Sequence, residues 1–329
     1  METVLSGIRP TGNLHLGNYF GAVTNFVKMQ KEYNCYFFIA DLHSLTTHPT
    51  PEDLHGNVKK IIAEYLASGI DPELATIYIQ SDVRETCELY LLFNMISYVG
   101  ELERTTTFKE KVRSQPNNVN AGLLTYPVLQ AADILIHRAN KVPVGKDQVP
   151  HLEMTRNIAN RFNNMYSVNY FPEPEPFNYG SEPIKIPGLD GSGKMGKSEG
   201  NGIYLIDEDD AIRKKVMRAV TDTGPTAINS EFSEPIKNLF TIMEVVSTGD
   251  TISYFKDKFK DCSIRYGDLK KQLAEDLVKF VTPIRERIKE IESNDTYLSK
   301  VVKMGAEKAI ASASKTLKEV KEIIGIKKF

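Results

Sequence analysis

The stretch Thr3-Val4-Leu5-Ser6-Gly7-Ile8-Arg9-Pro10-Thr11-Gly12-Asn13-Leu14-His15-Leu16-Gly17-Asn18 decides how this chain folds. Residues 3–6 are apolar and partly β-branched, as a short buried strand requires. Glycine and proline then punctuate a turn, and a helical pattern begins near His15. Free backbone N–H groups at a helix start attract anions, and Gly12 and Gly17 let a nucleotide approach the backbone closely. His15 and Asn18, three apart, share a helix face and can reach the same phosphates.

Outward from this turn, the first half alternates two patterns. Residues 3–6, 36–40, 76–80 and 142–144 read as strands, and 16–33, 52–68, 86–98, 122–137 and 151–162 as helices. Gly69 and Pro72 stand where a C-terminal glycine and a following proline stop a helix. Such alternation predicts an α/β fold, a Rossmann-like parallel sheet with helices on both faces and ligands beyond the carboxyl ends of the strands. Residues 172–176, Pro-Glu-Pro-Glu-Pro, read as a stiff connector. Residues 207–210 open a helix that ends in Arg213, Lys214, Lys215 and Arg218, acid first and base last along the helix dipole. From about residue 234 the pattern is helical. The expected organisation is a Rossmann-like catalytic domain over 1–190 with a helical insertion, then a mainly helical domain over 191–329.

A hydrophobic content of 41% and a charged content of 26% suit a globular chain and exclude a disordered one. No apolar run reaches the ~18 residues of a membrane span, and residues 1–7 lack the regions of a signal peptide. Cys35, Cys87 and Cys262 are odd in number and far apart, which predicts a reducing cytoplasm with no disulfide and no zinc site. Residues 251–329 hold 18 Lys and Arg against 12 Asp and Glu, so a tail of +6 follows a body of −8. That asymmetry suits a polyanion such as RNA, though Lys-rich exposed helices are common.

Two further runs carry chemistry. Lys194-Met195-Gly196-Lys197-Ser198 lies among Gly191, Gly193, Gly200 and Gly202, and such flanks let two ammonium groups close over a triphosphate. A solvated loop is the default reading of Lys-x-x-Lys; here the run follows an α/β half that carries its complement. Residues 122–135 form an apolar helix with one carboxylate, Asp133. A buried charge is costly unless paired, so Asp133 has either a function or a partner inside the fold.

Together, the His15-Leu16-Gly17-Asn18 and Lys194–Ser198 runs resemble the "HIGH" and lysine-loop signature of the class I aminoacyl-tRNA synthetases. Over nearly its whole length the chain is similar to the bacterial tryptophan-specific branch. The resemblance implies a tryptophan–tRNA ligase that forms tryptophanyl-AMP from L-tryptophan and ATP, then acylates tRNA(Trp). It implies catalytic roles for Lys111, Lys194, Lys197 and Ser198. ATP contacts would come from Arg9, Pro10, Thr11, His15, Gly17 and Asn18, from Ile186 and residues 194–198 (Met195 and Gly196 included), and from Gly145, Lys146, Asp147 and Gln148 in a segment similar to "PVGxDQ". Asp133 would accept the indole N–H, in a pocket with Gln130, Tyr126, His43, Leu5, Val142 and Val144. Mg2+ would be held mainly by the ATP phosphates, with no dedicated metal ligands.

The resemblance also implies a homodimer, tRNA contacts from the helical part, and no membrane or DNA partner. Arg9, Leu5, Gln130, Lys146 and Gly196 depart from the usual glutamine, phenylalanine, methionine, glutamate and serine of the family. A tyrosine-specific synthetase is the nearest alternative, since Gln130 and Asp133 match its Gln-x-x-Asp. A small-molecule adenylyltransferase and a non-catalytic binding protein stand further off.

Overall fold

The computed structural model describes residues 1–145, 149–180, 184–196 and 199–326. Five parallel strands form one sheet in the order β3-β2-β1-β4-β5. β1 (Thr3–Ile8) is central, with β2 (Asn34–Ile39) and β3 (Thr76–Ile79) on one side and β4 (Lys141–Val142) and β5 (Glu175–Pro176) on the other. β2 is buried from its second residue to its last, as a strand covered on both faces must be. β4 is shorter than the expected 142–144 strand because Pro143 has no N–H for the ladder.

The expected connector at 172–176 ends as the edge strand β5. Glu175 N–H donates to Asn140 O (2.8 Å) and Phe177 N–H to Val142 O (3.0 Å). Pro176 lies between them, where an N–H would point away from the sheet, so the edge tolerates it.

Between β1 and β2 the single helix expected over 16–33 is broken into α1 (Leu16–Asn18), a π-helical turn (Tyr19–Val23) and α2 (Thr24–Met29). The wider turn lets the adjacent Tyr19 and Phe20 both reach Phe280, at centroid distances of 5.6 and 5.3 Å. α3 (Asp41–Ser44) and α4 (Pro51–Ala67) lead to β3, and the Thr50 hydroxyl caps α4 by accepting from Asp53 N–H. α5 (Arg84–Asn94), α6 (Val99–Leu102), α7 (Thr106–Ser114) and α8 (Ala121–Ile136) lead to β4, so the helix expected over 86–98 ends early and α6 follows a turn. α9 (Val149–Met165) joins β4 to β5. The second half consists of α10 (Asp209–Met217), α11 (Glu234–Val246), α12 (Gly249–Lys260), α13 (Tyr266–Glu292) and α14 (Asp295–Ile323).

The chain builds outward from β1 to β3, then returns to β1's other side with β4. That reversal opens a crevice beyond the carboxyl ends of β1 and β4, where sheets of this kind bind ligands. One apolar cluster joins a face of the sheet to the helical half through Val4, Phe26, Ile61, Leu239 and Leu277. The other joins the opposite face to α5, α8, α9 and α14 through Leu5, Phe93, Val128, Ile158 and Ala313.

α14 therefore returns from the helical half to cover the sheet. At Gly305 it lies so close to β3 that an added Cβ would sit 1.7 Å from the Ile77 carbonyl oxygen. Gly305→Ala is expected to force helix and strand apart at a cost of about 1–3 kcal/mol or more, read as a lower denaturant midpoint. Gly267→Ala, with no atom within 4 Å of the added methyl, should leave that midpoint unchanged or slightly raised.

Candidate active site

The turn after β1 is secured from three directions. Leu14 N–H donates to both carboxylate oxygens of Glu64 on α4, at 3.0 and 3.1 Å. Leu205 N–H donates to Leu14 O, and Leu16 N–H donates to Ile203 O, both at 2.9 Å. His15 and Tyr204 thus form an antiparallel bridge between the turn and the segment after the lysine loop. His15 N–H donates to Asn18 Oδ1 (3.2 Å) and Asn18 N–H to His15 Nδ1 (3.3 Å), a reciprocal cap on α1. An accepting Nδ1 leaves the proton of the neutral ring on Nε2. Gly17 makes room for this, since a Cβ there would lie 2.9 Å from the His15 ring.

Beyond β1 and β4 opens a cavity of about 680 Å³. Leu5, Ile134, Val142 and Val144 give it apolar walls. Asp133, only 1% exposed, comes to it from the buried face of α8. Its Oδ2 accepts from His43 Nε2 at 2.8 Å, and Gln80 Nε2 donates to Oδ1 at 2.8 Å and Oδ2 at 3.0 Å. Burial pushes the Asp133 carboxyl above its ordinary range, and the bonds from His43 and Gln80 oppose that rise.

Other walls of the cavity are cationic. Lys111 on α7 holds its Nζ 4.0 Å from the centre of the Tyr126 ring, a cation–π contact. The Tyr126 hydroxyl lies 3.1 Å from His151 Nε2, which also meets Thr107 Oγ1 at 2.9 Å. Burial pushes the Tyr126 phenol up to about 12. Arg9 donates from Nη2 to Thr47 Oγ1 at 3.4 Å, while its buried Nε has no partner. Burial, then the nearby Arg9 guanidinium, holds the Lys111 amine below the ordinary lysine range. Two crowded, partly desolvated cations form a setting that a polyanion relieves.

Lys194 reaches this cavity from the loop. Asn201, buried behind it, accepts from Gly196 N–H through Oδ1 (3.0 Å). Its Nδ2 donates to Asp190 Oδ1 (3.1 Å), Ser192 Oγ (3.0 Å) and Lys194 O (3.2 Å). Met195 is buried, and its N–H donates to Ile186 O at 3.1 Å.

A family model described as "tRNA synthetases class I (W and Y)" matches residues 2–282. The tryptophan–tRNA ligase of Porphyromonas gingivalis is 65% identical over 327 residues, 99% of this chain and 100% of that protein. This chain belongs to the class I tRNA synthetase family. Among solved structures, the tryptophanyl-tRNA synthetase of Campylobacter jejuni, complexed with ADP and tryptophan, superposes with a TM-score of 0.89 at 33% identity, covering 98% of this chain and 99% of that one. The Mycoplasma pneumoniae tryptophanyl-tRNA synthetase gives 0.82 at 32% identity, covering 99% and 98%.

The cavity of this class I synthetase brings together Leu5, Arg9, Thr11, Asn18, His43, Lys111, Tyr126, Gln130, Asp133, Val142, Val144, Gly145 and Lys194 from the residues expected at the site. Pro10, His15, Gly17, Ile186, Met195 and Gly196 are outside its lining, where they pack or hydrogen-bond the turn and the loop from behind. Lys146, Asp147, Gln148, Lys197 and Ser198 lie outside the described residues. Among the described residues no group of three or more His, Cys, Asp and Glu could hold a metal ion.

Sequence reasoning missed Gln80, Glu64, His151 and Asn201. Gln80 follows directly on a strand's carboxyl end, a signal that was available. Glu64 sits amid Ile61, Ile62, Tyr65 and Leu66, so the argument made for Asp133 applies to it equally. Nothing local marks Asn201. Asn201→Ala is expected to lower the melting temperature modestly while tryptic cleavage at Lys194 becomes several-fold faster in limited proteolysis, since the Lys194 carbonyl is left with Ser192 Oγ as its donor.

Proposed function

We propose that this chain is a tryptophan–tRNA ligase, joining L-tryptophan and ATP as tryptophanyl-AMP and then passing the tryptophanyl group to tRNA(Trp). One observation carries the reading: a single cavity at the sheet's switch point unites a buried carboxylate in apolar walls with the cations Arg9, Lys111 and Lys194. The ADP and tryptophan bound to the Campylobacter jejuni relative support the same two occupants.

A carboxylate offers about four acceptor positions, and His43 and Gln80 use three of those on Asp133. The fourth accepts the indole N–H. Leu5, Tyr126, Gln130, Val142 and Val144 close around the ring, whose burial of roughly 150–250 Å² contributes about 4–6 kcal/mol of gross affinity. Asp133 adds discrimination, because a side chain without a matching donor leaves a buried acceptor unmet.

The substrate carboxylate attacks the α-phosphorus of ATP, the α–β phosphoanhydride bond breaks, and pyrophosphate leaves with the electron pair. The nucleophile is already ionised, so no general base is needed. Catalysis is positioning, worth up to ~7–11 kcal/mol, together with neutralisation of charge on pyrophosphate. Thr11 and the Asn18 side chain receive phosphate, with Pro10, His15 and Gly17 shaping that turn. Gly145, Lys146, Asp147 and Gln148 take the ribose and adenine side. Lys194, Lys197 and Ser198 follow the leaving pyrophosphate, carried on a loop that Ile186, Met195 and Gly196 help to seat. Lys111 and Arg9 meet the phosphates from the cavity wall. Mg2+ accompanies ATP, held mainly through its phosphates.

Residues 1–190 carry activation in this reading. Residues 191–329, with their +6 tail, carry the lysine loop and the tRNA contacts. Leu91, Met95, Tyr98, Val99 and Met165 are exposed on or beside α5, α6 and α9, and a homodimer would cover apolar side chains of this kind. Among the described residues no helix is long and apolar enough to cross a membrane. The cytoplasm is the proposed location.

Pyrophosphate exchange into ATP is expected to depend on tryptophan and not on tyrosine; exchange driven by tyrosine would reassign the enzyme. Asp133→Asn should lower kcat/KM for tryptophan roughly 10–100-fold, the worth of a hydrogen bond to a charged group, with KM for ATP little changed. Because the chain contains no tryptophan, substrate binding can be followed by the substrate's own fluorescence.

The Lys111 amine, held low by burial and then by Arg9, loses its proton at lower pH than an ordinary lysine. KM for ATP should therefore climb early on the alkaline side. Lys111→Arg should flatten that limb in pH-dependent kinetics.

A further inference from the structure

α8 meets β3 along two matched rungs. Tyr78 and Gln80 are two apart on or at the end of β3 and so face the same way, while Asp133 and His137 lie one helical turn apart at the end of α8. Gln80 Nε2 donates to Asp133 Oδ1 at 2.8 Å, and one step along the Tyr78 hydroxyl lies 3.0 Å from His137 Nε2. Two strand residues rise about 6.6 Å and four helix residues about 6 Å, so both rungs form without distortion.

The second rung continues outward. His137 Nδ1 is 3.1 Å from Ser312 Oγ on α14, and the imidazole is stacked on Tyr36 at 4.2 Å. Burial holds His137 neutral, its pKa pushed down to about 3. A neutral imidazole donates from one nitrogen and accepts at the other, so Tyr78, His137 and Ser312 form a directional chain. None of the three lines the cavity, and the activation chemistry uses none of them.

We propose that Tyr78 and His137, held from α14 by Ser312, are positioning residues that fix α8 against β3 and thereby place the Asp133 carboxylate. The proposal rests on the tryptophan-ligase reading of that carboxylate. An apolar contact between helix and sheet would stabilise as well or better, because replacing both members of a buried polar pair by similar apolar shapes is often neutral. A satisfied polar rung does something an apolar one does not: any slide of α8 leaves a ring nitrogen and a phenol buried without partners. The register of Asp133 is thereby tied to α14, from the far end of the chain.

The test compares Tyr78→Phe, Ser312→Ala, Asp133→Asn and the double variant Tyr78→Phe with His137→Leu in pyrophosphate exchange. Each is measured with tryptophan and with benzothienylalanine, an analogue whose ring lacks the N–H. Tyr78→Phe should raise KM for tryptophan about tenfold, compress the preference for tryptophan over the analogue, and leave KM for ATP within about twofold. Ser312→Ala should move the same quantities in the same direction by less. The double variant removes both partners, so its melting temperature should recover towards that of the parent while the preference stays compressed. A purely structural role would move both KM values together or restore selectivity along with stability, and either result overturns the proposal. An unchanged preference in Tyr78→Phe, when Asp133→Asn compresses it, also overturns it. An unchanged preference in Asp133→Asn overturns the ligand role of that acid, and the proposal with it.

Discussion

A short piece of backbone, Leu14 to Leu16, holds the site together. Its polar groups are buried, and their partners come from α4, from Asn18 and from the 203–205 segment. A buried donor or acceptor left unmet costs about 1–3 kcal/mol, so the turn and the segment after the lysine loop keep their bridge or both open. The bridge at His15 and Tyr204 is what brings two runs far apart in sequence to one nucleotide-sized space. Asn201 then carries the loop from that anchor to Lys194.

Within that space, burial acts on opposite charges at once. It raises the Asp133 carboxyl and lowers the Lys111 amine, so both groups are less comfortably charged than they would be in water. Hydrogen bonds from His43 and Gln80 oppose the strain on Asp133. Arg9 adds to the strain on Lys111. A ligand with one aromatic N–H donor and several phosphate oxygens suits both groups, and tryptophan with ATP has that pattern. In the proposed reading, the substrates complete the electrostatics of the site.

The helical half is more than an appendage that carries charge. α14 presses Gly305 onto the Ile77 backbone, sends Ser312 to His137 and accepts the Tyr170 hydroxyl on Glu319 at 2.8 Å. These contacts put the last helix in the same apolar cluster as β1 and α8. The pocket acid therefore stands on a frame supplied by both ends of the chain.

Local sequence was enough for four of the five strands, for most of the helices, and for the two motifs, because strand period, helix caps and glycine-rich turns act over a few residues. It was also enough to single out Asp133, since a lone carboxylate in an apolar helix needs a reason wherever that helix packs. The π-turn at Tyr19–Val23 and the pairing of Pro176 at the sheet edge depend on what lies opposite, on Phe280 and on β4. His151 and Ser312 belong to the same class: each takes its meaning from a partner that only folding brings near. Residue chemistry and short spacing determined what kinds of ligand this protein could hold. Tertiary structure decided which groups share them, because hydrogen bonds and desolvation act over a few ångströms of space and take no account of distance along the chain.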